Sequence, residues 1–447
     1  MPLKSAASKF LEQASQKHHW DKSFQAKENR LTVVSQYFPP DFAATGQLLD
    51  DLTGRLAQRG LQVQVLSGMP AYAYNQAEAE AVEFKPNRVI FRSRASRLWP
   101  RRIRGRAVNG LLFCIRTSLR LLKYARRGDL LVYTTEPPYL PIFGWLIYRL
   151  TGTPYALILY DLYPDVLVEL NILSERHWFA RFWRQLNRYA YRDASELVVL
   201  SQAMRSRLEF FTPEISDKIS VIPSWADIDA IQPIPKSENW FVKRYGLEKS
   251  FNVLYSGNQG RCHDLVTMMA AALVLRDKPE IRFVFIGSGP QQKRIQDLAI
   301  DWGLNNCLFL PYQDYEVLPS SLCCADLAVV SLAITAVGLV APSKLYGHLA
   351  AGTPLAVITP PDSDLRNLVE GKLGGWFANG AAVELADYIE ELMQNPNKLA
   401  LLGKQCRLLA EKEYSGEVVA NQYYKLIQSV ISPADKQIKQ QKTLSNV

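Results

Sequence analysis

Two cationic side chains stand beside glycine-containing segments in the second half of the sequence. Arg261 ends the segment YSGNQGR (255–261). Lys344 ends APSK (341–344), in which Pro342 and Ser343 resemble a helix cap and Lys344 would lie in the first turn. A guanidinium offers a fork of N–H donors that matches a phosphate, and glycine allows a ligand to approach the backbone closely. A third segment, GSGP (287–290), adds two more glycines after an apolar run. Together the three segments predict a site for a pyrophosphate-type ligand.

The glycines also have a purely structural interpretation. Taken singly, each is explained better by a tight turn between a strand and a helix, and only the three together favour a ligand site. Their spacing matches neither G-x-x-x-x-G-K-[ST] nor G-x-G-x-x-G, so neither a P-loop ATPase nor a nicotinamide enzyme is supported.

Carboxylates follow apolar runs in the first half. Asp161 and Asp165 come after the run 156–159 and could act as a base or as hydrogen-bond partners of a substrate, or equally as helix caps. Glu136 is a weaker candidate of the same kind. Gly46 ends a loop that leads into a helix and could face a ligand between the two halves, although an ordinary helix start explains it too.

Apolar runs alternate with helix-length segments along the chain, which predicts an α/β fold with parallel sheets covered on both faces. A Pro-rich polar stretch near 233–239 divides the pattern into two doubly wound, Rossmann-like domains. The predicted strands are 31–35, 63–66, 130–133, 156–159, 197–200, 219–222, 253–256, 282–286, 307–310, 327–332 and 355–358. The predicted helices are 47–58, 105–127, 264–275, 290–302, 343–351, 382–394 and 416–432.

The predicted domain organisation has five parts. A disordered tail (1–30) precedes an N-terminal domain (31–234) and a C-terminal domain (235–412). A helix (413–432) and a polar tail (433–447) follow.

The net charge of +9 is concentrated in one segment. Between Phe84 and Gly128 there are 14 Lys or Arg and no acid, which leaves 38 basic against 43 acidic residues elsewhere. The segment 105–127 reads as a basic amphipathic helix, preceded by Arg101, Arg102, Arg104 and Arg106. Such a segment suits an anionic membrane surface, but a solvated helix face is an open alternative. Nucleic-acid binding is not expected, because no recognition fold accompanies the charge.

Composition excludes several classes of protein. With 48% hydrophobic and 21% charged residues, the chain is neither disordered nor fibrous. The six cysteines form no C-x-x-C pair, so neither a zinc site nor a disulfide framework is expected. The first thirty residues lack the apolar core of a signal peptide. The apolar run 139–159 is interrupted by Arg149 and TGTP, which favours a buried helix followed by a buried strand and a cytoplasmic location.

Eight motifs in order resemble the retaining, nucleotide-sugar-dependent glycosyltransferases of the GT-B fold, of the family-four type that builds polysaccharides and O-antigens. The resemblance spans about 31–426. The motifs are QYFPPDFAATG, TTEPPYLP, YDLYPDVLVEL, VIPSWADIDAIQP, YSGNQGRCHDL, FVFIGSGPQQKRI, LPYQDYEVLPSSLCCADLAVVSL and PSKLYGHLAAGTPLAV.

The resemblance implies a nucleoside-diphosphate-sugar donor held mostly by the C-terminal domain, an acceptor at the N-terminal domain, and a final helix that crosses back. No metal or other cofactor is expected. The implied catalytic residues are Asp161, Arg261 and Lys344. The implied donor-binding residues are Gly46, Gly257, Asn258, Gly260, Arg261, Gly287, Gly289, Tyr312, Pro342, Ser343 and Lys344. The candidate acceptor or membrane residues come from the position of the carboxylates and from the basic segment, not from the resemblance, and are Glu136, Asp165, Arg101, Arg102, Arg104 and Arg106.

The sequence departs from the family pattern at four positions. The usual pair of glutamates falls on Leu339 and Gly347, the usual lysine after the phosphate-binding arginine on Val266, and the usual histidine on Tyr160. Lys344 would replace the missing phosphate cation.

These observations predict an enzyme that transfers a hexosyl or acetamidohexosyl group, with retention, to a lipid-linked or growing glycan acceptor. It would lie peripherally at the inner face of the membrane. The alternatives are a GT-B-type nucleotide-sugar epimerase and a non-catalytic nucleotide-sugar-binding scaffold.

Overall fold

The computed structural model describes residues 30–41, 43–70, 79–94, 98, 103–125 and 129–431. The predicted tails, 1–30 and 433–447, therefore lie outside the described residues except for Arg30. Within the described ranges, no helix is both long and apolar enough to cross a bilayer.

Strands and helices alternate through most of the described chain. The strands are β1 Leu31–Val34, β2 Val63–Gly68, β3 Val82–Lys85, β4 Arg88–Ser93, β5 Leu130–Thr134, β6 Tyr155–Leu159, β7 Glu196–Val199, β8 Ile219–Val221, β9 Phe251–Ser256, β10 Ile281–Ile286, β11 Cys307–Leu310, β12 Leu327–Ser331, β13 Leu355–Ile358 and β14 Gly374–Phe377. The α-helices are α1 Ala44–Gln58, α2 Ile103–Tyr124, α3 Leu140–Thr151, α4 Asp165–Glu169, α5 Trp178–Asp193, α6 Gln202–Phe211, α7 Trp240–Tyr245, α8 Val266–Val274, α9 Gln292–Asp301, α10 Leu318–Leu322, α11 Lys344–Ala350, α12 Asp364–Val369, α13 Ala382–Gln394, α14 Pro396–Glu413 and α15 Gly416–Ile431.

The first sheet has the described strand order β3-β4-β2-β1-β5-β6-β7-β8. Its central strand β1 pairs in parallel on both sides, with Leu31 opposite Val63 and Leu130. All five residues of both β5 and β6 are buried. Strands covered on both faces need apolar residues at every position, which explains the continuous apolar runs in the sequence.

An antiparallel pair at one edge of this sheet corrects the prediction of purely parallel strands. β3 and β4 run antiparallel, joined by a turn in which Asn87 has a φ of 53°. β3 is only half-buried along its length. Four half-buried residues carry no apolar run, so the sequence pattern missed this strand.

The second sheet has the order β11-β10-β9-β12-β13-β14, and its described pairings are all parallel. Together the two sheets confirm the predicted α/β class with two doubly wound parts. The glycine-rich β14 was missed because Gly374 and Gly375 have no apolar side chain to reveal a strand.

The core of the second sheet forms where its strands meet the helices on one face. Phe283 and Phe285 of β10 are fully buried beside Met268 and Met269 of α8 and Leu385 of α13. This packing fixes the strand ends from which the glycine-containing loops leave.

The chain divides into two compact units. The first runs to Ile158 and includes Tyr189–Glu196 and the residues from Tyr424 onward, and the second consists of Leu159–Arg188 and Leu197–Tyr423. The boundary predicted between 234 and 235 from composition stays a prediction.

A buried ion pair ties the start of the first unit to β5. Arg30 and Asp129 are 6% and 3% exposed, and the Arg30 Nε donates a 2.8 Å hydrogen bond to Asp129 Oδ1. Removing one partner of such a pair leaves the other charge buried and uncompensated.

We therefore expect Asp129→Ala to lower the free energy of unfolding by about 3 kcal/mol. The matched control is Asp51→Ala, which removes the partly exposed helical pair between Asp51 and Arg55 and should cost less than about 1 kcal/mol. Denaturant unfolding followed by circular dichroism measures both. Equal losses in the two variants would contradict this account of the Arg30–Asp129 pair.

Candidate active site

The loops that carry the predicted phosphate-binding residues leave one edge of the second sheet. The chain passes from β9 to β10 and β11 on one side and then continues with β12 and β13 on the other. The order therefore reverses between β9 and β12. In open parallel sheets, ligands bind outside the carboxyl ends of the strands at such a reversal.

Three of the predicted glycines allow two loops to pack backbone against backbone. A Cβ on Gly287, whose φ is 121°, would lie 2.2 Å from the carbonyl oxygen of Gly257. A Cβ on Gly289 would lie 2.6 Å from the carbonyl oxygen of Gln259. The Gly257 N–H donates to the carbonyl of Ile286 at 2.8 Å. The turn interpretation of these glycines thus has direct structural support, whatever ligand the loops bind.

Gly257 also makes room for Lys344. A Cβ on Gly257 would lie 2.9 Å from Lys344 Cε, so the lysine stem lies across the glycine. The Nζ atom lies 5.3 Å from the centre of the Tyr255 ring and 3.0 Å from His263 Nε2. Burial lowers the pKa of Lys344 to about 8, and the nearby Cys262 opposes that shift.

His263 was not singled out from the sequence, although it lies within the YSGNQGRCHDL motif. Its Nδ1 lies 2.7 Å from the carbonyl oxygen of Ser331 at the end of β12. Burial, and then the charge of Lys344, lower the pKa of His263 to about 3, so the ring is neutral. Its role becomes visible only through its contact with Lys344, which is distant in the sequence. No local sequence pattern indicates that contact.

Asp161 is tied to the segment that leads into Lys344. Its backbone pairs with Val340 as an antiparallel bridge, and the Leu162 N–H donates to the carbonyl of Leu339 at 3.0 Å. Burial raises the pKa of Asp161 to about 6, while the side chain stays partly accessible to solvent.

Cys262 links the carboxylate to the cation. Its thiol pKa is raised to about 11, mainly by burial and further by Asp161, while Lys344 opposes the shift. Asp161 and Lys344, two of the three predicted catalytic residues, therefore both act electrostatically on the Cys262 thiol.

The remaining predicted donor residues line the same loops. Arg261 and Asn258 are exposed. The carbonyl oxygen of Gly260 accepts a 3.2 Å hydrogen bond from the His263 N–H. Tyr312 is also exposed, and its hydroxyl donates to the Ser288 carbonyl at 3.4 Å.

The segment before α11 corrects one expectation. Pro342 and Ser343 were compared with a helix cap, but the Ser343 hydroxyl makes no capping hydrogen bond and Ser343 itself has helical dihedral angles. The helix begins at Lys344, one residue later than predicted, and Lys344 lies in its first turn as expected.

The predicted acceptor carboxylates are held by neighbouring side chains. Glu136 Oε2 accepts a 2.6 Å hydrogen bond from the Thr45 hydroxyl. Asp165 Oδ1 accepts a 2.7 Å hydrogen bond from Arg184 Nε. Gly46, next to Thr45, has no room for a side chain, because a Cβ would lie 3.2 Å from the backbone of Phe38.

The predicted membrane arginines are described only in part. Arg106 is exposed on α2. Arg101 and Arg102 lie outside the described residues, and so does the side chain of Arg104.

Leu339 and Gly347, at the positions where the resemblance predicts a pair of glutamates, take part in apolar packing. Leu339 is buried, and a Cβ on Gly347 would lie 3.1 Å from Leu322 Cδ1. One residue further, His348 is fully buried, and neither ring nitrogen has a hydrogen-bond partner within the described part of the chain. Burial, and then the charge of Lys344, lower its pKa to about 3. Among the described residues, no group of three or more His, Cys, Asp or Glu is arranged to hold a metal ion.

Two family models cover most of the chain. A glycosyl transferase 4-like domain matches residues 45–225, and a domain of glycosyl transferases group 1 matches residues 239–408. The chain belongs to the family-four glycosyltransferases of the GT-B fold.

Three similar proteins agree with this family over nearly their whole lengths. The probable glycosyltransferase WbjE of Pseudomonas aeruginosa is 24% identical, over 90% of this chain and 98% of its own. The putative colanic acid biosynthesis glycosyl transferase WcaI of Escherichia coli K12 is 23% identical, over 88% and 98%. The structure of Alr3699/HepE from Anabaena, in complex with UDP-glucose, superposes with a TM-score of 0.67 at 16% identity, over 90% and 100%.

The close approach of the Gly257 and Gly287 loops gives a stability prediction for this glycosyltransferase. Gly287→Ala adds a Cβ against the Gly257 carbonyl, whereas Gly303→Ala has the same unfavourable sign of φ (65°) but no atom within 4 Å of the new Cβ. We expect Gly303→Ala to cost about 1 kcal/mol and Gly287→Ala at least about 2 kcal/mol more. Thermal and denaturant unfolding compare the two. A Gly287→Ala variant as stable as Gly303→Ala would show that the loops do not pack this tightly.

Proposed function

We propose that this glycosyltransferase transfers a hexosyl or acetamidohexosyl group, with retention, from a nucleoside diphosphate sugar to a lipid-linked or growing glycan acceptor. The observation that carries the proposal is the half-buried Lys344 cation beside the loops that leave the reversal point of the second sheet. A departing diphosphate needs positive charge fixed in advance, and a low-dielectric site makes such a charge more effective.

Two observations support a nucleoside diphosphate sugar as the donor: the cations near the glycine loops and the similarity to a protein of the same fold. Arg261 is an exposed fork of donors on the loop that also holds Gly257, and Lys344 is a half-buried point charge across the same glycine. The Anabaena protein of the same fold was crystallised with UDP-glucose. The proposal therefore assigns both cations to the diphosphate of a sugar nucleotide, with no metal ion required.

The proposed reaction occurs on one face of the sugar. The bond between the anomeric carbon and the β-phosphate oxygen breaks, and the acceptor hydroxyl oxygen bonds to that carbon from the same side. The hydroxyl proton passes to the departing phosphate, whose negative charge Arg261 and Lys344 stabilise. Ionised Asp161 accepts a hydrogen bond from the transferred sugar or the acceptor and orients it.

The two alternatives predict different products. An epimerase would eliminate and restore the diphosphate and return an isomeric sugar nucleotide, and a scaffold would bind the donor without turnover. Incubation with UDP-, GDP- and TDP-sugars and a lipid-linked acceptor, with calorimetry for binding, separates the three. Loss of the donor with gain of an extended, retained-configuration glycan supports the proposal, and binding without transfer contradicts it.

The two shifted pKa values give a pH prediction for the free enzyme. Asp161 must lose its proton, with a pKa of about 6, and Lys344 must keep its proton, with a pKa of about 8. We expect kcat/KM for the donor to form a bell between those values. Lys344→Arg should remove the alkaline limb, because arginine stays charged, and Asp161→Asn should remove the acid limb.

Arg261→Ala serves as the companion variant. It should weaken donor binding at least about tenfold, because a charge-assisted hydrogen bond to phosphate is lost. It should leave both limbs of the pH profile in place, since the limbs are assigned to Asp161 and Lys344. Unchanged donor affinity would remove Arg261 from the diphosphate site, and a flat profile in the wild-type enzyme would remove the assigned titrations.

We also propose that an anionic membrane surface is a partner, bound by α2. One face of this helix packs inward through residues such as Phe113 and Leu121, yet a second apolar stripe stays exposed. This α2 stripe consists of Val108, Leu111, Ile115, Leu119 and Leu122, which recur at spacings of three and four residues. A solvated face would be polar, so the stripe favours docking over that alternative.

The positive charge around the α2 stripe favours anionic lipid as its binding surface. Arg106, Arg116, Arg120 and Lys123 share the exposed side of α2, and the whole segment 84–128 contains no acid. Apolar side chains between basic ones match the boundary between acyl chains and anionic headgroups. Docking there would give the enzyme a cytoplasmic, peripheral location beside a lipid-linked acceptor.

The vesicle prediction compares two sets of exposed apolar residues. The triple variant Leu111→Ser, Ile115→Ser, Leu119→Ser should lose at least about tenfold in affinity for phosphatidylglycerol vesicles. The control, Ile300→Ser, removes an apolar side chain that is 77% exposed in the second unit and should bind as wild type does. Vesicle cosedimentation at low and high salt measures both, and binding that survives the triple substitution contradicts the docking proposal.

A further inference from the structure

We propose that His263 is a positioning residue that fixes the ammonium group of Lys344 by accepting a hydrogen bond from it. The inference deepens the proposed function, since it rests on Lys344 acting at the diphosphate. It concerns a side chain that was not among the predicted site residues, although it lies within the YSGNQGRCHDL motif.

The hydrogen bond to Ser331 decides which ring nitrogen carries the proton. The Ser331 carbonyl oxygen can only accept, and it lies 2.7 Å from His263 Nδ1, so Nδ1 must be the protonated nitrogen. In a neutral ring Nε2 then has only a lone pair. The Lys344 Nζ lies 3.0 Å away and is a donor in its charged form, so it can donate a hydrogen bond to the lone pair of Nε2.

The backbone of His263 is itself held in place. The Gln291 side-chain amide donates to the carbonyl oxygens of both Gly260 (2.6 Å) and His263 (2.8 Å). The ring stands edge-on to Tyr255, with centroids 6.0 Å apart. The imidazole therefore joins the end of β12 to the first residue of α11 through a rigid intermediate.

The surroundings of Lys344 show why an acceptor is needed there. The titratable groups that act on or contact it are Cys262, His263, His348 and Tyr255, and the thiol of Cys262 also feels the charge of Asp161. Burial favours the uncharged amine, and a neutral acceptor favours the ammonium form. His263 thereby both aims Lys344 and helps it stay charged.

A nuclear magnetic resonance experiment tests the geometry without any activity. The full-length protein, labelled with ¹⁵N in its five histidines, should show a His263 ring that is neutral and protonated at Nδ1 from pH 5 to 9. That signal should vanish in His263→Leu. A His263 ring protonated at Nε2, or one that becomes doubly protonated between pH 5 and 7, would overturn the proposal.

Kinetics then test the role. In His263→Leu, which keeps the bulk but not the acceptor, we expect the alkaline limb of kcat/KM to move about one pH unit lower and the donor KM to rise about tenfold. His263→Gln can place an amide oxygen near the position of Nε2 and should restore both to within about threefold. A merely structural role would lower the melting temperature of both variants without moving the limb.

The outcomes separate this inference from the proposed function. If Lys344→Ala leaves donor KM unchanged, the diphosphate role of Lys344 fails, whatever the histidine spectrum shows. If Lys344→Ala weakens donor binding while His263→Leu keeps the wild-type limb and KM, the positioning role alone is overturned.

Discussion

The candidate site depends on keeping a lysine charged in a place where burial opposes the charge. Lys344 lies across Gly257, under the Tyr255 ring and against His263, and its pKa falls to about 8. The contact is possible only because Gly257 has no Cβ in the way of the lysine stem. Gly257 in turn is placed by its hydrogen bond to Ile286 at the end of β10. The sheet, the glycine loops and the cation are thus one connected arrangement.

The same arrangement explains how this chain differs from the usual family pattern. At the two positions where the family resemblance leads us to expect glutamates, Gly347 faces Leu322 and Leu339 is buried. Both positions serve apolar packing, and the polar groups nearby are those of Lys344, His263 and Cys262. An apolar α11 embedded beside β12 is a firm base for a single charged side chain at its first residue.

The pattern of the sequence was sufficient for most of the fold. Every predicted strand exists within a residue or two of its expected bounds, because buried parallel strands require continuous apolar runs. The segment 139–159 forms the helix α3 and the strand β6, as expected. The strands that were missed, β3, β4 and β14, include half-buried or glycine-rich segments whose residues show no clear hydrophobic period. Seven helices were also not predicted individually: α4, α5, α6, α7, α10, α12 and α14. The cap expected at Ser343 was wrong because a hydroxyl near a helix start does not always turn toward it.

What the sequence alone determined, then, was the class of fold, the family and the list of cations and glycines, since these depend on local composition and order. The tertiary structure decided which of them meet. It joined Asp161 to the Lys344 segment through Val340, and it brought His263 to Lys344 across 81 positions. It also left the α2 stripe exposed although the helix already had a buried face. Such contacts join segments that are far apart in the chain, and the exposure of a helix face depends on what packs against it. Neither can be predicted from the local spacing of apolar residues.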